Sequence, residues 1–390
     1  MENKGWVTVL AIVMICVGSF IWWYNTQKED SGLTGAETIS VSEDDMEGTN
    51  YHYQQLSPDE KLTYRILYSG CKEYESDIPI NPISEEASRR VLFAFRYDHP
   101  EFYWVKDDAT ITSTSLNVTN KISFTIPTDA KDKKKKLEDK AVSILKDAPV
   151  GEYEKIKYIY EYIIENTRYD LKAPDNQTAY SVLINGSSVC GGYASAFQYL
   201  CDRAGLYSAY ISGEIIGKGP HAWNFVKIGS NYYWVDTTWG DPAYFDTLKG
   251  PEEIFYDYLC VTDEELLSNR ILCNDERYAN HESYMDFTYP KCYDWSLNYY
   301  SRTGGYISSY SRVAVYNAIM LQAFDPMKNL IVLKFASEEA FNQAIDDMFN
   351  VNNYSAEIID ELEKRLGITI QYGDIMTVGG NIHHMIIKKS

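Results

Sequence analysis

Three polar residues have the side-chain chemistry that a nucleophilic catalyst requires. They are Cys190, His221 and Asp236, which occur in that order within residues 185–242. A thiol can attack a carbonyl carbon, an imidazole can act as its base, and a carboxylate can orient the imidazole. If the fold brings these side chains together, we expect acyl transfer at a peptide or amide carbonyl.

Cys190 lies at the start of a predicted helix. The segment that follows it, GGYASAFQYLCDRAG, carries apolar residues at helical spacing and contains Gly205, a typical helix stop. A thiol at a helix N-terminus has a lowered pKa because the helix dipole stabilises the thiolate. Gly191 and Gly192 leave backbone N–H groups accessible to an oxyanion. Cys201, deeper in the same helix, is expected to be a buried, inert residue.

His221 and Asp236 are predicted on neighbouring strands. The segments LYSAYISGE, HAWNFVKI and NYYWVDT favour three strands, and Gly229-Ser230-Asn231 favours a hairpin turn between the last two. Residues on paired strands can lie side by side across the ladder. The carboxylate can then fix the imidazole tautomer while the other ring nitrogen faces the thiol.

The segments VCGGYASAFQYLCDRAG, HAWNFVKI and YYWVDTTWGDP, in this order, resemble the core of the bacterial transglutaminase-like superfamily. The resemblance covers roughly residues 152–290 and implies an α+β, papain-like fold, in which a helix bearing the cysteine packs on an antiparallel sheet bearing the histidine and aspartate. By position it implies that Cys190 is the nucleophile, His221 the general base and Asp236 the orienting carboxylate. The family more often has an acidic residue after the cysteine, where this chain has Gly191.

The side chain that helps to bind an oxyanion is not fixed by a motif. Gln177 and Tyr180, upstream of the nucleophile, are candidates beside the backbone N–H groups of Cys190 and Gly191. Trp223 is a candidate for lining the substrate groove, although an aromatic residue in a strand is equally typical of a core.

The chain divides into five predicted regions. They are a transmembrane anchor (1–27), an acidic flexible linker (28–50), an N-terminal α+β subdomain (51–148), a transglutaminase-like domain (149–295) and a small C-terminal α/β module (296–390). In the subdomain, Ser57 is predicted to cap a helix, a second helix is predicted to start at Ser84-Glu85-Glu86, and residues 102–105 are predicted to form a strand. The C-terminal module carries no motif that indicates a reaction.

Residues 6–24 are apolar almost without interruption, which is long enough to cross a bilayer. The Trp22-Trp23-Tyr24 cluster suits the membrane interface, and no small-residue cleavage site follows, so we expect an uncleaved anchor rather than a secretory signal. Lys4 precedes the span and acidic residues follow it. We therefore expect a single-pass protein of the cell membrane whose C-terminal part is extracellular.

Charge and cysteine spacing limit the partners. The net charge of −20 argues against nucleic acid, because no basic face would neutralise phosphates. Cys260, Cys273 and Cys292 lack the close pairing of metal ligands, so we expect neither a metal nor a cofactor. Outside the cell these cysteines and Cys71 are candidates for disulfides, with Cys273–Cys292 as the preferred pair.

These features predict an extracellular, membrane-anchored cysteine enzyme that acts on a peptide or protein substrate, for which a cell-wall peptide is a candidate. Water as the acyl acceptor would make it a protease or amidase, and an amine would make it a transglutaminase. The sequence leaves that choice open. The alternative is a non-catalytic cell-surface binding or structural module that retains the fold. The complete cysteine–histidine–aspartate set favours the enzyme, because binding alone does not require it.

Overall fold

The structure is a computed structural model of the chain. It describes residues 46, 48–105, 109–114, 117–241, 254–278, 285–325, 330–367, 370–371, 375–378 and 382–389. The predicted anchor and nearly all of the linker lie outside these residues. Within the described part of the chain, no helix combines the length and the apolar character of a membrane span.

The first part of the described chain is a small α+β unit. It contains α1 (Pro58–Lys72), β1 (Asp77–Ser84), α2 (Glu85–Asp98), β2 (Thr110–Ser113), β3 (Val118–Ser123) and α3 (Ala130–Leu145). The strands form an antiparallel sheet in the order β1-β3-β2. Ser57 caps α1 in a capping box with Glu60, which confirms the predicted cap. The second helix starts where predicted, and Ser84 caps it.

The strand predicted at residues 102–105 is wrong. These residues are buried, but their backbone closes local turns: Phe102 N–H donates to His99 O at 3.2 Å, and Val105 N–H donates to Phe102 O at 2.9 Å. The apolar run therefore reflects burial rather than pairing with another strand.

The central part of the chain places one long helix against an antiparallel sheet. Its elements are α4 (Glu152–Asn166), β4 (Arg168–Tyr169), α5 (Ala179–Leu183), β5 (Ser187–Ser188), α6 (Cys190–Arg203), β6 (Tyr207–Ile215), β7 (Gly219–Ile228), β8 (Asn231–Val235), β9 (Leu259–Val261), α7 (Asp263–Leu266) and β10 (Arg270–Leu272). Five strands pair in the order β10-β6-β7-β8-β9, and α6 packs on β6 and β7. This is the helix-on-sheet arrangement that the sequence predicts.

Two buried amide side chains hold α6 in place. Nδ2 of Asn224, on β7, donates to Ala194 O in α6 at 3.1 Å and to Ala209 O in β6 at 3.3 Å. One helical turn further along, Nε2 of Gln198 donates to Tyr97 O in α2 at 2.8 Å. Buried carbonyl groups need such partners. The helix is therefore tied both to the sheet and to the N-terminal subdomain.

The C-terminal module is a small α/β unit with its own apolar cluster. It follows α8 (Tyr299–Thr303) and contains β11 (Tyr306–Ile307), α9 (Arg312–Ala323), β12 (Leu330–Phe335), α10 (Glu338–Ile345), α11 (Tyr354–Leu366), β13 (Ile370–Gln371), β14 (Ile375–Val378) and β15 (Ile382–Lys389). Lys334 of β12 anchors the module to the central part, because its buried ammonium lies 3.1 Å from Asp257 Oδ1 and 3.0 Å from Glu265 Oε1.

The predicted disulfide is wrong. Cys71, Cys260, Cys273 and Cys292 are all free and buried. The thiol of Cys273 instead contacts the hydroxyl of Tyr289 at 3.1 Å. These cysteines therefore act as small buried residues of the core.

We expect Asn224→Ala to lower the free energy of unfolding by about 2–3 kcal/mol, because two hydrogen bonds to buried carbonyl groups are lost. Urea denaturation measures the change. Asn166→Ala is the matched control: its amide donates to a single carbonyl, Tyr162 O, at an exposed helix end, so a much smaller change is expected. Equal changes in the two variants would contradict the anchoring role of Asn224.

Candidate active site

Cys190 is the first residue of α6, as the sequence predicts. The residue before it, Val189, offers no side-chain oxygen to cap the helix. The N–H groups of Cys190 and Gly191 therefore have no acceptor within the helix, and this end of α6 favours an anion. The side chain of Cys190 is partly exposed, whereas the other cysteines in the described part of the chain are buried.

His221 and Asp236 come together from adjacent strands. Residue 221 lies near the start of β7 and residue 236 directly follows β8. Nε2 of His221 lies 2.9 Å from Oδ2 of Asp236, and both residues are buried. The imidazole also lies beside the Cys190 side chain, close enough for each group to shift the pKa of the other. Because Nε2 meets the carboxylate, Nδ1 is the ring nitrogen left for the thiol. The thiol, the imidazole and the carboxylate therefore lie together in this order.

The electrostatic interactions among Cys190, His221 and Asp236 favour a thiolate beside an imidazolium. Burial acts to raise the pKa of Cys190, but the hydrogen bond and charge of His221, helped by the N–H of Ala222, lower it below the ordinary thiol value. Burial acts to lower the pKa of His221, but the charge and hydrogen bond of Asp236, followed by Cys190, raise it to about 9. The imidazole therefore keeps its proton at neutral pH, and its positive charge favours the thiolate form of Cys190.

Asp236 is held ionised and oriented by three donors. Burial acts to raise its pKa, but His221 and then Arg270 lower it to about 2. Nη2 of Arg270 lies 2.6 Å from the same Oδ2 that meets His221, and the N–H of Trp239 donates to Oδ1 at 3.0 Å. The guanidinium also packs over the Trp239 ring, 4.7 Å from its centroid. The carboxylate is thus fixed at both oxygens.

Sequence reasoning misses the contact that Arg270 makes. The residue lies 34 positions after Asp236, on the edge strand β10, and belongs to no motif. Its position depends on the pairing of Arg270 with Ile215 of β6. A three-residue strand carries too little pattern to predict that pairing.

Gly191 makes room for Gln177. A Cβ atom at position 191 would lie 1.8 Å from Oε1 of Gln177 and 3.3 Å from the hydroxyl of Tyr210. The amide of Gln177 therefore lies over the residue next to the nucleophile. A side chain at position 191 would displace this amide.

The structure corrects two of the predicted substrate contacts. The ring of Tyr180 is buried, stacks on Tyr103 and lies under the ammonium of Lys133. Trp223 is 1% exposed and belongs to the hydrophobic core, where its ring stacks on His221 with centroids 5.9 Å apart. Neither side chain is accessible to a substrate. Trp223 instead packs against the imidazole ring of His221.

The segment that contains Cys190, His221 and Asp236 matches the model of a known protein family. Residues 139–238, which include Cys190, His221 and Asp236, match the family model of the transglutaminase-like superfamily. Kyphoscoliosis peptidase of Homo sapiens is 26% identical over 135 residues, which are 30% of this chain and 20% of that protein. The Mus musculus protein of the same name is 27% identical over 115 residues, which are 25% and 17% of the two chains. The match thus spans about a fifth of these relatives.

Solved structures also resemble part of the chain. The crystal structure of a TGase has 14% sequence identity and a TM-score of 0.24, over 33% of this chain and 43% of the other. A cysteine protease candidate from Cytophaga hutchinsonii has 16% identity and a TM-score of 0.24, over 33% of this chain and 61% of the other.

We expect Arg270→Gln to lower the free energy of unfolding by about 3 kcal/mol at neutral pH, because it breaks a buried ion pair. The pKa of Asp236 should rise in the variant, since a positive charge beside the carboxylate is lost. Urea denaturation at neutral and acidic pH measures both effects. The lowered pKa of Asp236 stabilises the wild type at neutral pH, and this contribution is lost as the pH falls toward 2. The acid-induced loss of stability should therefore be smaller in Arg270→Gln.

Arg277→Gln is the matched control for this prediction. Its guanidinium also pairs with a carboxylate, that of Asp275 at 2.7 Å, but both residues are much more exposed. We expect nearly unchanged unfolding in this control. If the two variants behaved alike, the Arg270–Asp236 pair would not support the site.

Proposed function

We propose that this chain, which carries a transglutaminase-like domain, is a cysteine-dependent acyl-transfer enzyme that acts on a peptide or amide carbonyl through a thioester at Cys190. The observation that carries the proposal is the placement of Cys190 beside His221, whose Nε2 lies 2.9 Å from Oδ2 of the buried Asp236. A structural cysteine is expected to have a raised pKa, as burial produces at Cys201. The lowered pKa of Cys190 instead suits a nucleophile.

In the first half of the reaction, the Cys190 thiolate attacks the carbonyl carbon and a C–S bond forms. The electron pair of the C=O bond moves to the oxygen, which becomes an oxyanion. The N–H groups of Cys190 and Gly191 and the amide of Gln177 are the donors that would stabilise it. As the oxyanion collapses, the C–N bond breaks. The His221 imidazolium gives its proton to the leaving amine, which leaves a thioester and a neutral imidazole.

In the second half, the neutral imidazole of His221 takes a proton from the acyl acceptor. The acceptor attacks the thioester carbonyl, the C–S bond breaks, and the Cys190 thiolate and the imidazolium return. Asp236 keeps the ring oriented and stabilises its positive charge in both halves. Water as the acceptor gives hydrolysis by a protease or amidase, and an amine gives transamidation. The name peptidase, carried by the curated relatives, agrees with the first of these outcomes.

The location proposed from the sequence would fit a surface substrate. An anchor at residues 6–24 would hold the catalytic part outside the cell membrane, where a cell-wall peptide or a surface protein is within reach. A non-catalytic binding module is the competing proposal. It gives no reason for a thiol pKa that is lowered despite burial.

Product analysis separates the candidate reactions. The full-length protein is incubated with glutamine-containing peptides, with and without a primary amine, and the products are analysed by mass spectrometry. Release of ammonia alone indicates an amidase, incorporation of the amine indicates a transglutaminase, and shortened peptides indicate a protease. Cys190→Ala should abolish every product. Products that persist in that variant, or an absence of any product with the wild type, would refute the proposed reaction.

The rate should depend on pH through the ionisation of His221 and Cys190. The reaction needs protonated His221, whose pKa is raised to about 9, so kcat/KM should fall above about that pH. On the acid side, activity should persist below the ordinary thiol value of about 8.5 because the pKa of Cys190 is lowered. A rate that rises steadily from neutral to strongly alkaline pH would indicate an ordinary thiol.

Gly191→Ala should reproduce the effect of Gln177→Ala. The added methyl group cannot coexist with the amide of Gln177, which lies at the end of a flexible side chain and can swing away. We expect each variant to lower kcat about 100-fold, and the double variant to be no worse than either, because the same oxyanion donor is lost. Asn185→Ala, at an exposed position nearby, is the control and should keep full activity. Additive losses of kcat in the double variant would show that Gly191 and Gln177 affect the rate through different interactions.

A further inference from the structure

A cavity of about 330 Å³ lies between the N-terminal subdomain and the central domain. Its lining comes from both sides, with Arg96, Tyr97 and Tyr103 from the subdomain and Gln177, Ser195 and Tyr210 from the domain. We propose that this cavity is a substrate subsite that takes a large aromatic side chain of the peptide, next to the reacting amide. The proposal rests on the acyl-transfer function proposed above.

The cavity lies beside the nucleophile. Two of its lining residues, Gln177 and Tyr210, are the ones that approach Gly191, with atoms 1.8 Å and 3.3 Å from the position of a Cβ there. A third lining residue, Ser195, lies one helical turn beyond Gly191 on α6. A peptide whose carbonyl carbon meets the Cys190 thiol can therefore place a neighbouring side chain in the cavity.

The lining suits an aromatic ring. Tyr97, Phe102, Tyr103 and Tyr210 are among its lining residues, and the rings of Tyr97 and Tyr210 pack with centroids 4.4 Å apart across the two parts of the chain. Aromatic rings gain from edge and offset contacts with one another beyond the area that they bury. The volume is at the lower end of the range for ligand pockets, about 300–1,000 Å³, which fits one side chain rather than a whole ligand.

The charges of the lining favour a neutral or electron-rich group over a basic one. The guanidinium of Arg96 lines the cavity, and a guanidinium stacks well on an aromatic face. Among the described lining residues the carboxylate is that of Asp175, which pairs with the Lys133 ammonium at 3.0 Å. A lysine or arginine side chain would therefore bring a second positive charge close to Arg96.

Hydrogen bonds within the protein already hold the residues on both sides of the cavity in place. Thr178 donates its hydroxyl to Asp175 O at 2.8 Å, which fixes the loop on the domain side. On the subdomain side, Gln198 of α6 donates to Tyr97 O at 2.8 Å. A subsite held in this way gains affinity because little has to be ordered on binding. The N-terminal subdomain would then be part of the active site rather than a separate module.

The test uses peptides that carry an electrophilic ketone and label Cys190. Three such probes differ only in the side chain nearest the electrophile, which is phenylalanine, alanine or lysine. Second-order labelling rates of the full-length protein should be about 10- to 100-fold higher for the phenylalanine probe than for the alanine probe, as expected for burial of one aromatic side chain. The lysine probe should be the slowest. Equal rates, or a preference for lysine, would overturn the aromatic subsite.

Two variants locate the preference in the cavity. Ser195→Phe fills it, so the phenylalanine probe should fall to the rate of the alanine probe, whereas Ser195→Ala should keep the preference. Arg96→Ala should reduce the preference several-fold. Iodoacetamide, which has no side chain to place, should label all these proteins at similar rates and thereby shows that the site is folded. A preference that survives in Ser195→Phe would place the subsite elsewhere. If neither iodoacetamide nor the probes reacted at Cys190 near neutral pH, the proposed function itself would fail.

Discussion

The buried charge of Asp236 is the feature on which the rest of the site depends. A carboxylate that loses its hydration costs several kcal/mol unless donors replace the water. Here His221, Arg270 and the N–H of Trp239 supply those donors. Once it is ionised, the carboxylate raises the pKa of His221, and the imidazolium in turn lowers that of Cys190. The reactivity of the Cys190 thiol therefore depends on Asp236, which acts on it through His221.

The fold brings these charged and polar side chains together. The strand order β10-β6-β7-β8-β9 puts His221 and the end of β8 side by side and brings Arg270 in from an edge strand. The helix that starts at Cys190 is then fixed against the sheet by Asn224 and against the N-terminal subdomain by Gln198. These amide contacts hold the thiol where His221 can reach it. A shift of about 1 Å between helix and sheet would be enough to impair catalysis.

Local signals in the sequence predicted the parts of the site that depend on neighbouring residues. Serine caps mark the helix starts at α1 and α2, and alternation marks β6 to β8. The order of Cys190, His221 and Asp236, read with the family resemblance, indicated the triad. Features that depend on distant contacts could not be read in this way. The packing of Gln177 over Gly191, the contact of Arg270 with Asp236 and the burial of Trp223 arise only when separate segments meet. The buried turns at residues 102–105 mimic a strand because burial and strand pairing select the same residue types.

The ultraviolet absorbance of the thiolate tests the central claim most directly. The difference spectrum between the wild type and Cys190→Ser, followed across pH, reports the ionisation of this one thiol. We expect the thiolate transition of the wild type to lie below the ordinary thiol pKa of about 8.5, and to move to higher pH in Asp236→Asn because the charge supporting the imidazolium is lost. A transition near the ordinary thiol pKa of about 8.5, unchanged in Asp236→Asn, would contradict this expectation.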